Sequence, residues 1–383
     1  MRKPKEWGQG CPNSECSYYK LMNRGNVSSI ATYLTQSGKR RIFKCRECGT
    51  RFSETQDTVF FDLRTGEEKV MMVLKMLLVK MGLSEISFVM GVRPGTVCEW
   101  LRRAAEKAEE INQHLMRELG VSQVQLDEMW NFIKRKHSLE AEADGESPEA
   151  AEDGRQWVWI SYAPEFRLMV AACVGPRTVE TARCLIEQTA ARVAGIPAFF
   201  SDGFSCYFNV LVAVYFQIRE FARTGRRGRP RQPVVEPHPD LVYAQVVKPQ
   251  TGESHPILKR VRCGADRLAA LGLKISTSLL ERLNLTLRQA LAPLVRKTLH
   301  FCKQRQQLER RVVFFQVYYN FARPHLSLRL PLPDSERRSS GVIHPKWKPR
   351  TPGIAAGLTD HVWTFRELLT AKFEPIQNQS ISR

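Results

Sequence analysis

Four cysteines near the N-terminus come in two pairs, Cys11-x4-Cys16 and Cys45-x2-Cys48, separated by 28 residues. Thiolate pairs on short turns are the ligands a tetrahedral Zn2+ takes, and they order a segment too small for a large core. Gly49 follows the second pair, where the chain must turn tightly beneath a metal. Arg40, Arg41, Lys44, Arg46 and Arg51 surround that turn, so the knuckle has a basic surface. The alternative is four buried, unpaired thiols, because cysteine packs as a small hydrophobe. The other cysteines (98, 173, 184, 206, 263 and 302) stand singly in mostly apolar segments and are expected in the core.

Three carboxylates, Asp127, Asp202 and Glu281, form a second constellation. Cutting a phosphodiester without a covalent protein intermediate needs an activated water and a stabilised leaving oxygen. Two Mg2+ (or Mn2+) ions about 3.5–4 Å apart do both, and carboxylates hold such ions. Asp127 lies within a strand-like run, VQLDEMWNFI; Asp202 closes another, AFFSD, just before Gly203; Glu281 begins the helical ERLNLTLRQAL. One acid from a first strand, one from a later strand end and one from a helix can converge on one edge of a sheet. Bland readings stand beside each: Asp127 as a surface residue, Asp202 and Glu281 as helix caps. Glu128 rivals Asp127. Strand parity groups Glu128 with Val124, Leu126 and Trp130, and Asp127 with Gln125 and Asn131.

The elements that must position these groups follow an α/β order. Residues 67–118 read as helices, VMMVLKMLLVKMG being one. From Val121 strands take over: VQLDEMWNFI, QWVWISYA and RLMVAACV, the first two parted by an acidic, polar loop at 138–154. A helix over Thr178–Ala194, the strand AFFSD and a helix from Phe204 follow, an α/β pattern. Residues 221–275, rich in proline and glycine with one plausible strand, LVYAQVV, read as an insertion or long irregular connection. Helices resume from Ser278 to about Phe321, and a proline-rich tail ends in a helical segment near Thr364–Lys372. The expected domains are 1–62, 63–120, 121–330 with the insertion at about 221–275, and a tail at 331–383.

Within 63–120, GLSEISFVMGVRPGTVCEWLRRA has the grammar of a helix-turn-helix. Ser84 caps a helix whose Ile86, Val89 and Met90 face inward. Gly91 turns the chain, Pro94 opens a second helix, and Val97, Trp100 and Leu101 anchor it. The outer face would offer Arg93, Thr96, Glu99, Arg102 and Arg103 to a major groove; an ordinary helical hairpin is the alternative. The 383 residues carry 58 Lys+Arg against 39 Asp+Glu, a net charge of +19 that favours a polyanionic partner. The run at 225–231, with Arg226, Arg227 and Arg229, suits either a narrow minor groove or a basic linker. No apolar stretch is long enough to span a bilayer and none resembles a secretory signal, so a cytoplasmic, DNA-associated protein is expected.

The CP…C…CxxCG ribbon, LDEMWNF, FFSDGFSCY, LLERLNLTLRQALAPLVRKTLHFCK and YYNFARPH occur here in one order. In these pieces the chain resembles the insertion-sequence-one family of bacterial DDE transposases, over roughly residues 10–325. The resemblance implies a zinc ribbon and a helix-turn-helix domain preceding an RNase H-like catalytic domain, a mixed sheet flanked by helices. It implies that Asp127, Asp202 and Glu281 bind catalytic metal, that element ends are nicked, and that the freed 3′-hydroxyl attacks target DNA. Double-stranded DNA, as terminal inverted repeats and target, is then the partner, and a homodimer holding two ends is expected. Arg282, Asn284 and Arg288 would steady phosphates, and Arg296, Lys297 and Lys303 would continue a basic helical surface. Two other functions remain open: a DNA-binding regulator with an inactive nuclease fold, and a structure-specific nuclease without strand transfer.

Overall fold

The computed structural model describes residues 6–133, 155–221, 231–247, 257–332 and 346–376. The acidic loop expected at 138–154, and Arg226, Arg227 and Arg229, lie outside the described residues. Contacts divide the chain into two compact units. One comprises Met1–Leu115, Val313–Tyr318 and Trp363–Arg383; the other comprises Met116–Val312 and Tyr319–Val362.

In the first unit, β1 (Val27–Thr35), β2 (Gly38–Cys45) and β3 (Arg51–Ser53) form an antiparallel sheet in that order. Val27, Phe43 and Phe52 make its core, and Trp7 meets Phe43 edge-on at 5.4 Å. Three helices follow: α1 (Glu67–Leu77), α2 (Leu83–Met90) and α3 (Pro94–Leu115). α1 buries Val70, Val73, Leu74 and Leu77, the stripe expected of an amphipathic helix. It stops before the apolar run does: Lys80 is left-handed at φ 67°, which breaks the turn. α2 is capped by Gly82 rather than by the Ser84 side chain. Ile86 is fully buried, but Val89 is exposed, because α2 meets its neighbours over a narrow face. Gly91 ends α2 at φ 59°, a conformation an L side chain resists. Pro94 then opens α3, whose Val97, Trp100 and Leu101 are buried as expected.

The segment after Trp363 belongs to this same unit. Thr364 and Glu367 form a capping box on the helix Phe365–Thr370. Leu368 and Leu369 are buried, Val59 N–H donates to Leu369 O at 3.0 Å, and Arg366 pairs with the buried Glu67. This helix is thus bonded to Val59 and Glu67 of the same unit.

The second unit is built on a six-stranded mixed sheet. Its first strands are β4 (Gln123–Phe132), β5 (Arg155–Ala163) and β6 (Leu168–Gly175), joined antiparallel. Then come α4 (Val179–Ala190), β7 (Ala198–Ser201), α5 (Cys206–Val214), a separate antiparallel pair β8 (Phe216–Arg219) and β9 (Val234–Pro237), β10 (Val242–Val247) and β11 (Leu258–Cys263). The sheet order is β11-β10-β7-β4-β5-β6, with β7 parallel to both β4 and β10. The expected strand–strand–strand–helix–strand–helix order is present. The stretch 221–275, expected to be an insertion or irregular connection, instead contributes β10 and β11 to the sheet. LVYAQVV, read as its one plausible strand, is β10, buried from Val242 to Val246, whereas β11 was not expected.

Burial explains these elements. β7 reads Ala-Phe-Phe-Ser and is buried on both faces, as a central parallel strand must be. Thr178 caps α4 through Thr181 N, and Ala182, Leu185, Ile186 and Thr189 form its buried stripe. After α6 (Ala265–Leu271), α7 (Ser278–Ala290) buries Leu280, Leu283, Leu287 and Ala290. α8 (Arg305–Val317) runs into a π-turn, Tyr318–Ala322. Asn320 there is fully buried; its side chain accepts from Met169 N at 3.1 Å and donates to Met169 O at 2.9 Å. These bonds occupy backbone groups of β6 where its register against β5 shifts. Of the six cysteines expected in the core only Cys302 is buried, and Cys184 is exposed on α4.

Candidate active site

Asp127 and Asp202 are neighbours because of register. In the parallel pairing of β4 with β7, Leu126 lies opposite Ser201, so the next residue on each strand is an aspartate. The site thus sits at the carboxyl end of β7, where α/β sheets open their crevices. Glu281 comes from the first turn of α7. The buried stripe 280/283/287 places residues 281, 284 and 288 together on the adjoining flank. Asp127, Asp202 and Glu281, with Gly203, Val246, Val247 and Thr277, line one open cleft of about 260 Å³.

Two tethers hold α7 to β4. Gln125, buried and two residues before Asp127, accepts from Leu280 N at 3.0 Å, meeting an otherwise orphaned donor of the α7 first turn. Asn284 Nδ2 donates to Asp127 Oδ2 at 2.6 Å, and Glu128 N donates to Asp127 Oδ1 at 2.9 Å. Thr277 donates to Glu281 Oε1 at 3.0 Å. Asp202 is braced differently: Phe204 N donates to its Oδ1 at 3.1 Å, and Ser201 Oγ bonds both the Asp202 carbonyl and the Tyr243 hydroxyl. Gln245 Nε2 bonds Tyr243 and the Phe204 carbonyl, closing that network.

Negative charge is concentrated. Carboxylate oxygens of Asp127, Glu128 and Asp202 lie within 4.8 Å of one another. Burial, and then Asp202, push the Asp127 carboxyl up to about 6; burial and Asp202 push Glu128 up to about 7. Among the described residues neither Asp127 nor Asp202 has a cation at ion-pair distance. Asn284 Oδ1 is buried without a partner among them. A divalent cation with part of its water shell fits this donor set: hard oxygens, surplus negative charge and an open approach. Glu128 is not among the residues lining the cleft. Its carboxylate accepts from Arg177 Nε at 3.0 Å and from the Tyr207 hydroxyl at 3.0 Å, on the face opposite Asp127 that parity assigns it.

Of the basic residues expected on phosphate, Arg288 is half-buried and feels the charge of Asp127. Burial and Arg296 lower its pKa, and Asp127 opposes them. Arg282 is exposed beside Glu281. Asn284, expected on phosphate, donates to Asp127 instead. Arg296 and Lys297 are exposed but do not extend a helical face: α7 ends at Ala290, Pro293 follows, and Lys297 lies in a turn at φ 55°. Gln125, Ser201, Tyr243 and Gln245 were not singled out from sequence. The one available signal was a polar residue at alternate positions of an apolar strand.

In the first unit, Cys11, Cys16, Cys45 and Cys48 bring their sulfurs within 4.8 Å of one another, with Cys11–Cys48 at 3.5 Å and Cys16–Cys45 at 3.9 Å. A tetrahedron with metal–sulfur bonds of about 2.3 Å has edges of about 3.8 Å. Gly49 takes φ 75°, and Cys45 O accepts from Gly49 N beneath the pair. Asn26 Nδ2 donates to Cys45 Sγ at 3.5 Å. Hydrogen bonds from Thr50 bring the Cys48 thiol down to about 6, while burial raises Cys11. Arg93, just before α3, is exposed, and Thr96 in its first turn is half-buried. Arg102 and Arg103 both pair with Glu99, and Arg102 also with Glu106. Arg102 holds Glu99 down to about 2.

Fold and site together define a mixed α/β unit with an acid-lined cleft at a strand end, and a separate unit with a four-cysteine knuckle. No protein-family model and no curated protein matches the chain. Among solved structures it is similar to the Mos1 transposase paired-end complex with left transposon end, at 14% identity and a TM-score of 0.15, over 38% of this chain and 56% of that one. The Mos1 strand transfer complex matches at 13% identity and a TM-score of 0.15, over 36% and 52%. The chain spans about half the length of these structures. Among the described residues no helix is long and apolar enough to cross a membrane.

Proposed function

We propose that the chain is a DDE transposase: it cleaves the 3′ ends of an insertion sequence and joins them to target DNA, using Asp127, Asp202 and Glu281. One observation carries this reading. Three acids separated by 75 and 79 positions, on a strand, a strand end and a helix, line one cleft. The sheet supports an RNase H-like fold, since three antiparallel strands in succession are extended by parallel strands on the far side of the first. The motifs shared with the insertion-sequence-one family fall on these same elements.

Asp127, whose carboxyl feels the charges of both Asp202 and Glu281, is the natural shared ligand for Mg2+ or Mn2+. Bound there, the ions would lower the pKa of a water and stabilise the leaving oxygen. The chain's own residues do the positioning. Gln125 and Asn284 fix α7 against β4, so the glutamate cannot swing away from the aspartates. Ser201, Tyr243 and Gln245 fix the turn that carries Asp202. In the first step water's oxygen bonds to phosphorus and the bond to the 3′ oxygen breaks, leaving a 3′-hydroxyl and a 5′-phosphate. In the second, that hydroxyl attacks a target phosphodiester and releases a new 3′-hydroxyl, so bonds are exchanged without an external energy source. Arg282, Arg288, Arg296 and Lys297 would contact flanking phosphates.

The cysteine knuckle is read as a Zn2+ ribbon and α2–α3 as a helix-turn-helix, with Arg93 and Thr96 placed for a major groove and Arg102 and Arg103 restrained by Glu99. Domains at 1–62, 63–120 and 121–330 would then find, hold and cut DNA. A homodimer would bring two element ends together. The test is direct. Purified chain with Mg2+ or Mn2+ should nick and join a duplex made from the DNA flanking its own coding region. Asp202→Asn should still bind that duplex without cutting it. Binding without metal-dependent cutting would return the regulator, and cutting without joined products the nuclease.

A further inference from the structure

Glu128 is an acid that the cleavage scheme does not use, yet it is among the most enclosed groups of the second unit. Its side chain is 1% exposed. Arg177, in the turn between β6 and α4, reaches it through Nε and Nη2, and Tyr207 of α5 donates to its other oxygen. The Arg177 guanidinium lies 4.8 Å from the Trp157 ring centre and 4.2 Å from that of Phe204. A side chain with large rotamer freedom is therefore held by one carboxylate and two aromatic faces.

Arg177 is nevertheless 40% exposed, and its Nη1 has no partner among the described residues. Its pairing with Glu128 keeps it close to the cleft, since Phe204 is two residues from Asp202 and a Glu128 oxygen is within 4.8 Å of oxygens of Asp127 and Asp202.

We propose that Arg177 binds a non-scissile phosphate of the DNA strand lying in the cleft, as a preformed anchor held by Glu128, Tyr207, Trp157 and Phe204. This rests on the reading of the cleft as a DNA-cutting site. With Glu128 cancelling the net charge, attraction comes from directed N–H donors, which suit phosphate oxygens. A guanidinium already immobilised loses little freedom when it binds. The anchor sets which phosphate reaches the acids, and it belongs to substrate binding rather than to the chemical step.

The test uses the full chain, the flanking-DNA duplex and anisotropy titrations across a salt series without added Mg2+ or Mn2+. Arg177→Ala is paired with Glu128→Gln so that no buried carboxylate is stranded. The pair should weaken binding about ten-fold with little change in the slope of log K against log salt, because the two substitutions remove one charge of each sign. Arg177→Lys keeps Glu128 paired and the slope, but should lose part of the affinity with the fork. Unchanged affinity in a folded double variant would overturn the anchor, as would a duplex that does not bind at all. Wild type that binds with the full slope but never cuts would sink the cleavage reading and leave the anchor standing.

Discussion

Replacing Asp202 by asparagine should make the metal-free protein more stable while destroying its activity. Oxygens of Asp127, Glu128 and Asp202 lie within 4.8 Å of one another. At an effective dielectric of about 20, two like charges at that distance repel by about 3.5 kcal/mol. Solvent in the open cleft and small relaxations reduce this, so a gain of about 1–2 kcal/mol is expected near pH 8. In a unit of this size that is a rise in Tm of about 2–8 °C. Asparagine keeps an oxygen for the Phe204 N–H bond, so the gain is not offset there. The pH dependence follows from the raised carboxyls. Asp127 at about 6 and Glu128 at about 7 lie above their ordinary values. Their neutral forms are favoured in the folded state. The stability they contribute is full below about pH 4 and is lost as pH rises through 6 to 7. At pH 5 the neighbours of Asp202 are largely protonated, and the variant's advantage should nearly vanish. The assay is thermal unfolding of both proteins at pH 5 and pH 8, without and with Mg2+. Added Mg2+ should raise the wild-type Tm and leave Asp202→Asn unmoved. A variant destabilised equally at both pH values, or one that Mg2+ stabilises as much as wild type, would refute the idea of a repulsive cluster awaiting a cation.

Further predictions concern the supports. Gln125→Leu removes the acceptor for Leu280 N and should cut the cleavage rate about 10- to 100-fold, with the sheet folded by circular dichroism; wild-type rates would show that the α7 tether is dispensable. Cys45→Ser should lose one equivalent of zinc by elemental analysis and leave the ribbon amides unprotected in hydrogen exchange, because metal binding and folding are coupled in such knuckles. Asn320→Leu removes two hydrogen bonds to the Met169 backbone and should lower the urea stability by about 1–3 kcal/mol. Glu99→Gln removes the Glu99 ion pairs of Arg102 and Arg103 while leaving Arg102 its Glu106 partner and should tighten DNA binding by a few-fold at low salt, an effect of exposed ion pairs worth at most about 1 kcal/mol each; a weakened complex would mean that Glu99 orients those arginines for DNA.

The sequence by itself determined what depends on near neighbours. Alternation and apolar runs set the strands and helices of the second unit, paired cysteine spacing set the knuckle, and Pro94 and Gly91 set the α2–α3 turn, since each is decided within a few residues. Motif likeness singled out Asp127, Asp202 and Glu281. Only the tertiary structure could decide that Leu126 pairs with Ser201, which makes two aspartates neighbours, or that Gln125 and Asn284 tie α7 to β4. It also decided that 258–263 joins the sheet as a further strand, that the helix 365–370 is bonded to Val59 and Glu67, and that Glu128 holds Arg177. These are long-range pairings. Their partners lie tens to hundreds of residues apart, and local propensity carries no term for them.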